Sequence, residues 1–212
     1  MKIIKSLFLL LISCCIFAAC SSGNDASDAS NQDAPVVENV VTSAAAPEHT
    51  FVTFETQSHG KFVVETYPEH APETVRHFLE LVDGGFYNSF TIEQIRHSEA
   101  LVTSESSPAL RSDSAAALAT TVSGEFTKNG RSNALKLEKY TLALNHIPTQ
   151  YDSGSAQFMI MLTSSHDFDG EYAGFGKVVQ GTEVIDKIAG SEVDRKGTPV
   201  SPIVMKKVYI NE

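Results

Sequence analysis

The chain has 212 residues and a formal charge of −10, from 26 acidic and 16 basic side chains, and it is 42% hydrophobic with no Trp. That length suits one globular domain with appendages and leaves little room for two sizeable domains. The acidic balance excludes a general nucleic-acid partner, which needs clustered Lys and Arg, and argues against electrostatic docking on anionic lipid.

In chain order, the first element is a targeting segment. Lys2 and Lys5 precede an almost wholly apolar run from Ser6 to Ala19, and Cys20 follows. A basic start, a short apolar core and a small-residue exit read as a secretory signal peptide over residues 1–19. Ala18-Ala19 before Cys20 resembles the bacterial lipoprotein signal, which implies cleavage there and acylation of Cys20. Leu11-Ile12-Ser13-Cys14 fits the same pattern, but cleavage there would leave an apolar run on the mature chain, so Cys20 is preferred. A plain signal peptide with an incidental Cys is the alternative. The three cysteines, 14, 15 and 20, all fall in this segment, so the folded part has neither a disulfide nor a thiol nucleophile. Downstream of residue 20 no apolar run is long enough for a spanning helix.

Residues 20–48 read as a lipid-anchored flexible linker rich in Ser, Ala, Asn and Asp, with a reach of about 30 Å. An added strand is the alternative for this stretch. The domain covers 49–212. Phe51 to Thr56 and Phe62 to Tyr67 have strand composition around a Ser58-His59-Gly60-Lys61 turn, which predicts a hairpin. Pro72 opens a helix over 73–82, with Val75, Phe78, Leu79 and Val82 on one face, and Asp83-Gly84-Gly85 stops it. Phe90 to Val102 is mixed. Residues 103–124 are Ser/Ala-rich and read as a long surface loop with a short helix around 115–118. Short β-like runs follow at 140–144, 158–162 and 175–179, then a helix at 182–188 stopped by Gly190, then a strand at 203–210. Many short strands with two helices predict a mainly β fold, a barrel capped by helices.

The chemistry-bearing residues give little on their own. The seven His make no dense metal pattern, and Ser165-His166-Asp167 are sequence neighbours, whereas a nucleophilic triad is defined by geometry. Gln157 and Met159 alternate with Phe158 and Ile160, as on any half-buried strand.

The order of motifs is more specific. The segment from Glu65 to Phe78, then Gly85-Phe86-Tyr87, Gly124-Glu125-Phe126, Ser153 to Ile160, Phe168-Asp169-Gly170, Phe175 to Val178 and Gly181 to Ile188 resemble cyclophilin motifs in the family's order, across about residues 51 to 210. The resemblance implies an eight-stranded antiparallel β-barrel capped by two α-helices, and peptidyl-prolyl cis-trans isomerase activity on proline-containing polypeptides. In that family an Arg on the barrel face hydrogen-bonds the prolyl nitrogen, an apolar pocket grips the ring, and a Gln and backbone groups hold the neighbouring carbonyl. No metal or cofactor is implied. Residue by residue, Gln94 takes the Arg position, Glu99 and Ala100 the Phe-Met positions, and Val102 the position of a Gln. Arg96, two residues on, shares the face of Gln94 under strand alternation and can partly substitute. Gln157 matches the family's Gln. Met159 replaces the pocket Phe, Asp167 stands where many members carry Trp, Phe168 keeps a bulky apolar residue beside it, and Tyr172 replaces a His at the pocket edge.

Two functions are therefore expected. One is a lipid-anchored prolyl isomerase, monomeric, assisting folding in the bacterial envelope. The other is a silent cyclophilin-like peptide-binding or chaperone module, because binding ground and twisted states equally gives no acceleration. Ser21 after Cys20 supplies no Asp retention signal, so the periplasmic side of the outer membrane is preferred to the inner membrane.

Overall fold

A computed structural model describes residues 48–104 and 120–212. Within them lie eight strands: β1 (Phe51–Thr56), β2 (Lys61–Thr66), β3 (Ile92–Arg96), β4 (Ala100–Thr103), β5 (Thr141–Leu144), β6 (Phe158–Met161), β7 (Ala173–Gln180) and β8 (Met205–Ile210). Helix α1 (Pro72–Asp83) follows β2, and α2 (Thr182–Ala189) follows β7. Every strand pair is antiparallel, in the order β3-β4-β6-β5-β7-β2-β1-β8. The sheet curls until its edges meet: Thr91 bridges Val204, and Ile92 N–H donates to the Ile203 carbonyl at 3.0 Å. The expected barrel with two capping helices is what the chain builds, with α1 against β7 and β8 and α2 against β2.

The alternation of side chains explains the interior. Phe54, Phe62, Phe158, Ile160 and Phe175 point inward and are fully buried. Phe78 from α1 and Tyr87 join them, with Phe54 and Phe62 stacked at 4.8 Å and Phe78 and Phe175 at 5.1 Å. Aromatic side chains bury about 150–250 Å² each, so this cluster supplies much of the hydrophobic driving force in a domain with no Trp. Tyr87 keeps its hydroxyl satisfied by donating to the Ala156 carbonyl at 3.0 Å, and burial pushes its phenol far above the ordinary value.

Helix α1 begins at Ala71, which offers no side-chain cap. Glu125, only 2% exposed and 51 residues beyond Thr74, supplies the missing acceptor. Its carboxylate accepts from Thr74 N–H at 2.8 Å and Glu73 N–H at 3.1 Å. A negative charge at a helix N-terminus also meets the favourable end of the helix dipole.

The mixed stretch after Phe90 resolves into β3 and β4. The pairing register shifts between Ile92 and Gln94, so Glu93 is a bulge residue. Both Ile92 and Ile95 are then buried although three positions apart, which is why strict alternation does not reveal the strand. The expected signal, linker and helix around 115–118 lie outside the described residues.

Candidate functional site

The outer face of β3, β4, β6 and β5 carries the candidate site residues. Directly across these strands Gln94 faces Val102, Val102 faces Met159, and Met159 faces Ala143. One row further, Asn145 N–H donates to the Gln157 carbonyl at 2.9 Å. Strands lie about 4.7–4.9 Å apart, so Gln94 and Met159 stand roughly 10 Å from each other.

Gln94 and Arg96 come together. Arg96 Nε donates to Gln94 Oε1 at 2.8 Å, and Gln94 Nε2 donates to the Lys196 carbonyl at 2.7 Å. Lys196 belongs to a tight turn in which Asp194 accepts from Lys196 N–H at 2.8 Å and Thr198 N–H at 2.9 Å. Those two amides hold the Asp194 carboxyl below its ordinary value. Gly197 closes the turn at φ +83°, and its carbonyl accepts from Ile95 N–H at 2.8 Å. A Cβ there would stand 3.0 Å from the Ile95 carbonyl oxygen, so the close approach requires glycine. The turn therefore fixes Gln94, and Gln94 orients Arg96. The guanidinium, on a half-exposed side chain, has Nη1 3.5 Å from Glu99.

Gln157 sits at the centre of the face. Its Nε2 donates to the Thr103 carbonyl at 2.9 Å, and its Oε1 accepts from Asn145 Nδ2. Two cavities share this amide pair. One, of about 480 Å³, is lined by His146, Ile147, Ser155 and Ala156 among others. The second, of about 320 Å³, lies between Glu93, Gln94, Arg96 and Val102 on one side and Lys196 and Thr198 on the other. Together they form a groove across the barrel wall, with amides in its floor and Arg96 at one flank.

The expected ring-gripping residues group elsewhere on the same face. Met159 is 3% exposed and packs with Ala100, Leu137, Ala143 and Met161. Phe168 and Tyr172, both half-buried, pack on that cluster with their rings 5.1 Å apart. Burial raises the Tyr172 phenol above its ordinary value. Neither cavity is lined by these three side chains. His146 links the two regions, its ring 4.7 Å from Tyr172 and 5.2 Å from Phe126. Cys20 lies outside the described residues, and among those described no group of three or more His, Cys, Asp or Glu could hold a metal ion.

Sequence reasoning missed Asn145, Glu93 as a groove residue, and the Lys196–Thr198 turn. Asn145 ends an apolar strand, a place where a polar side chain must find a partner, and that was the available signal. The Asp-Arg-Lys-Gly-Thr stretch is legible as a turn, but nothing local says that it lands on β3.

Comparison with known proteins bears on this architecture. The family model described as cyclophilin type peptidyl-prolyl cis-trans isomerase/CLD matches residues 51–210. Peptidyl-prolyl cis-trans isomerase B of Escherichia coli is 30% identical over 173 residues, 76% of this chain and 99% of that protein. A peptidyl-prolyl cis-trans isomerase of Acinetobacter baylyi is 27% identical over 82% of this chain and 93% of its own length. Among solved structures, a Cryptosporidium parvum cyclophilin type isomerase superposes with a TM-score of 0.64 at 18% identity, covering 78% of this chain and 99% of that one. The same parasite protein, crystallised in the presence of the dipeptide Ala-Pro, gives a TM-score of 0.63 at 19% identity, covering 76% and 99%. The chain belongs to the cyclophilin-type peptidyl-prolyl cis-trans isomerases.

Proposed function

We propose that this protein is a lipid-anchored prolyl isomerase of the bacterial envelope in which Arg96, oriented by Gln94, takes the part of the family's Arg. The observation that carries this reading is the 2.8 Å bond from Arg96 Nε to Gln94 Oε1, which sets the guanidinium at the edge of the groove, with Nη1 3.5 Å from Glu99.

The chemistry follows from the amide. Rotation about a peptide bond meets a barrier of about 18–20 kcal/mol because the C–N bond is partly double. A donor aimed at the prolyl nitrogen competes for its lone pair and stabilises the twisted amide. A cationic donor makes a bond roughly twice as strong as a neutral amide does. Gln94 alone is a neutral donor with one of its two amide N–H groups committed to Lys196; Arg96 supplies the charge. The Asn145–Gln157 pair holds the peptide backbone on the other side, through the second lone pair of Gln157 Oε1 and the second N–H of the Asn145 amide. Only interactions stronger in the twisted state than in either isomer accelerate the step, so the displaced cation implies a slower isomerase than one with Arg on the strand position itself.

A second reading, a silent peptide-binding module, rests on Met159. Its burial with Phe168 and Tyr172 means that a proline ring must displace packed side chains before it is gripped.

Exchange NMR on an Ala-Pro peptide with the full-length chain separates the two. Accelerated cis/trans exchange at substoichiometric protein, lost in Arg96→Ala and reduced in Gln94→Leu, is the expected result. Peptide shifts without accelerated exchange would refute isomerisation and leave the binding module. The anchor is tested separately: Cys20→Ser should release the protein from the membrane fraction, and unchanged fractionation would refute acylation at Cys20.

A further inference from the structure

We propose that Glu93 makes the second cavity a subsite for a Lys or Arg side chain of the bound polypeptide, so that this isomerase prefers prolines with a basic neighbour. The proposal rests on the groove being the peptide site.

The bulge is what puts a carboxylate there. In an unbroken strand Glu93 would alternate with Gln94 and turn away from its face. With the register shifted between Ile92 and Gln94, both Ile92 and Ile95 go inward and the Glu93–Gln94 pair goes outward. Glu93 Oε2 comes within 3.4 Å of Gln157 Nε2, so the carboxylate leans over the amide pair at the groove floor.

Among the described residues Glu93 has no cation within ion-pair distance, unlike its neighbours. Glu99 is matched by Arg96 at 3.5 Å, and Asp194 is satisfied by the backbone amides of its turn. The two cations lining the cavity do not answer Glu93. Arg96 is held by Gln94 and Glu99. Lys196 is exposed, and its carbonyl is turned toward Gln94. The rest of the wall suits an amphipathic side chain. Val102, an apolar residue in the cavity lining, offers a surface for a methylene stem. A volume of about 320 Å³ accommodates one long side chain.

The test uses NMR titration of the full-length chain with two peptide series built on Ala-Pro. Lys, norleucine or Glu is placed on the N-terminal side of the dipeptide in one series and on the C-terminal side in the other. The expected result is about three- to fivefold tighter binding of Lys over norleucine in one series, weakened at raised salt and abolished in Glu93→Gln. Because Glu93 is exposed and Gln is isosteric, the variant keeps the fold, and the salt dependence of the wild type is a second readout. Equal affinity for Lys and norleucine in both series would overturn the subsite while leaving the groove as a peptide site. Preference for Glu would also overturn it, showing that Arg96 and Lys196 dominate the cavity. Failure of all peptides to bind would overturn both the subsite and the peptide groove.

Discussion

Glu125→Ala tests whether one buried carboxylate holds the start of α1. The side chain accepts two backbone N–H groups, from Glu73 and Thr74, and Ala71, the residue before the helix, offers no cap of its own. A hydrogen bond to a charged group contributes about 1.5–3 kcal/mol, and a buried donor left unpaired forfeits its solvation as well. Thr74 N–H is buried and has no access to water, whereas Glu73 N–H is only partly buried and recovers some hydration. Arg131, 3.6 Å away, keeps its 2.8 Å bond to Glu73 and adds little to the loss. One full bond and part of a second give an expected destabilisation of about 3–4 kcal/mol. Glu125→Gln retains one acceptor but turns an NH2 toward the second donor, for about 2 kcal/mol. Urea unfolding of the two variants and the wild type, with m-values compared, measures both. A loss under about 1 kcal/mol for Glu125→Ala at unchanged m would refute the reasoning. It would mean that the first turn of α1 finds other acceptors.

Three further outcomes are expected. Burial lowers the pKa of His77, whose Nε2 has no partner among the described residues. Its stabilising contribution is therefore complete above the unfolded value near 6.5 and is lost as pH falls from there toward the folded pKa, with a slope of at most about 1.4 kcal/mol per pH unit; His77→Leu should flatten this limb, and an unchanged pH profile would sink the idea. His49 behaves oppositely: the hydrogen bond to Glu65, then Glu69, raises its pKa, so its contribution is complete below 6.5 and lost as pH rises through the folded value. The pair is well exposed, so His49→Gln should cost less than about 1 kcal/mol at acid pH and nothing in mild alkali, as read from melting curves across pH. Gly181 sits at φ +75°, where a Cβ would lie 2.3 Å from the Lys61 carbonyl oxygen; Gly181→Ala should destabilise by more than about 2 kcal/mol in urea, and a loss below about 1 kcal/mol would show that the end of β2 yields freely.

Helix α1 was readable because Pro72 suits a first helical position and the apolar spacing marks a face. The buried face is wider than that spacing suggested, since Thr74 and His77 also lie on it. A polar side chain gives no periodic signal for burial. Strands β5, β6 and β7 were found within two residues at each end because short apolar runs mark sheet interiors. β3 was obscured by its own bulge: one extra residue breaks the period of two on which strand reading depends. Motif order singles out Gln94 and Gln157, and strand alternation adds Arg96; the structure sets all three along the groove. The amide chain from Lys196 to Gln94 was not legible, because its partners lie 102 residues apart and one of them acts through a backbone carbonyl. Any residue type can offer a carbonyl, so no residue pattern announces it. Met159 with Phe168 and Tyr172 was expected as an accessible pocket; Ala100 and Ala143 beside it are small enough for the cluster to close on itself.

The meeting of the sheet's two ends limits how a polypeptide can be held. On the β3 side, Ile95 and Ile92 give their N–H groups to Gly197 and Ile203. On the β8 side, Met205 N–H is taken by Phe90, and Val208 N–H by Asn88 Oδ1 at 2.9 Å. Among the described residues these four N–H groups are therefore already taken and are not offered to an added strand, the mode in which main-chain bonding gives affinity largely independent of sequence. The proposed groove offers side chains of the barrel wall instead, contacts that leave no continuous ladder to break when a client departs, and strand ends already paired resist joining other copies edge to edge.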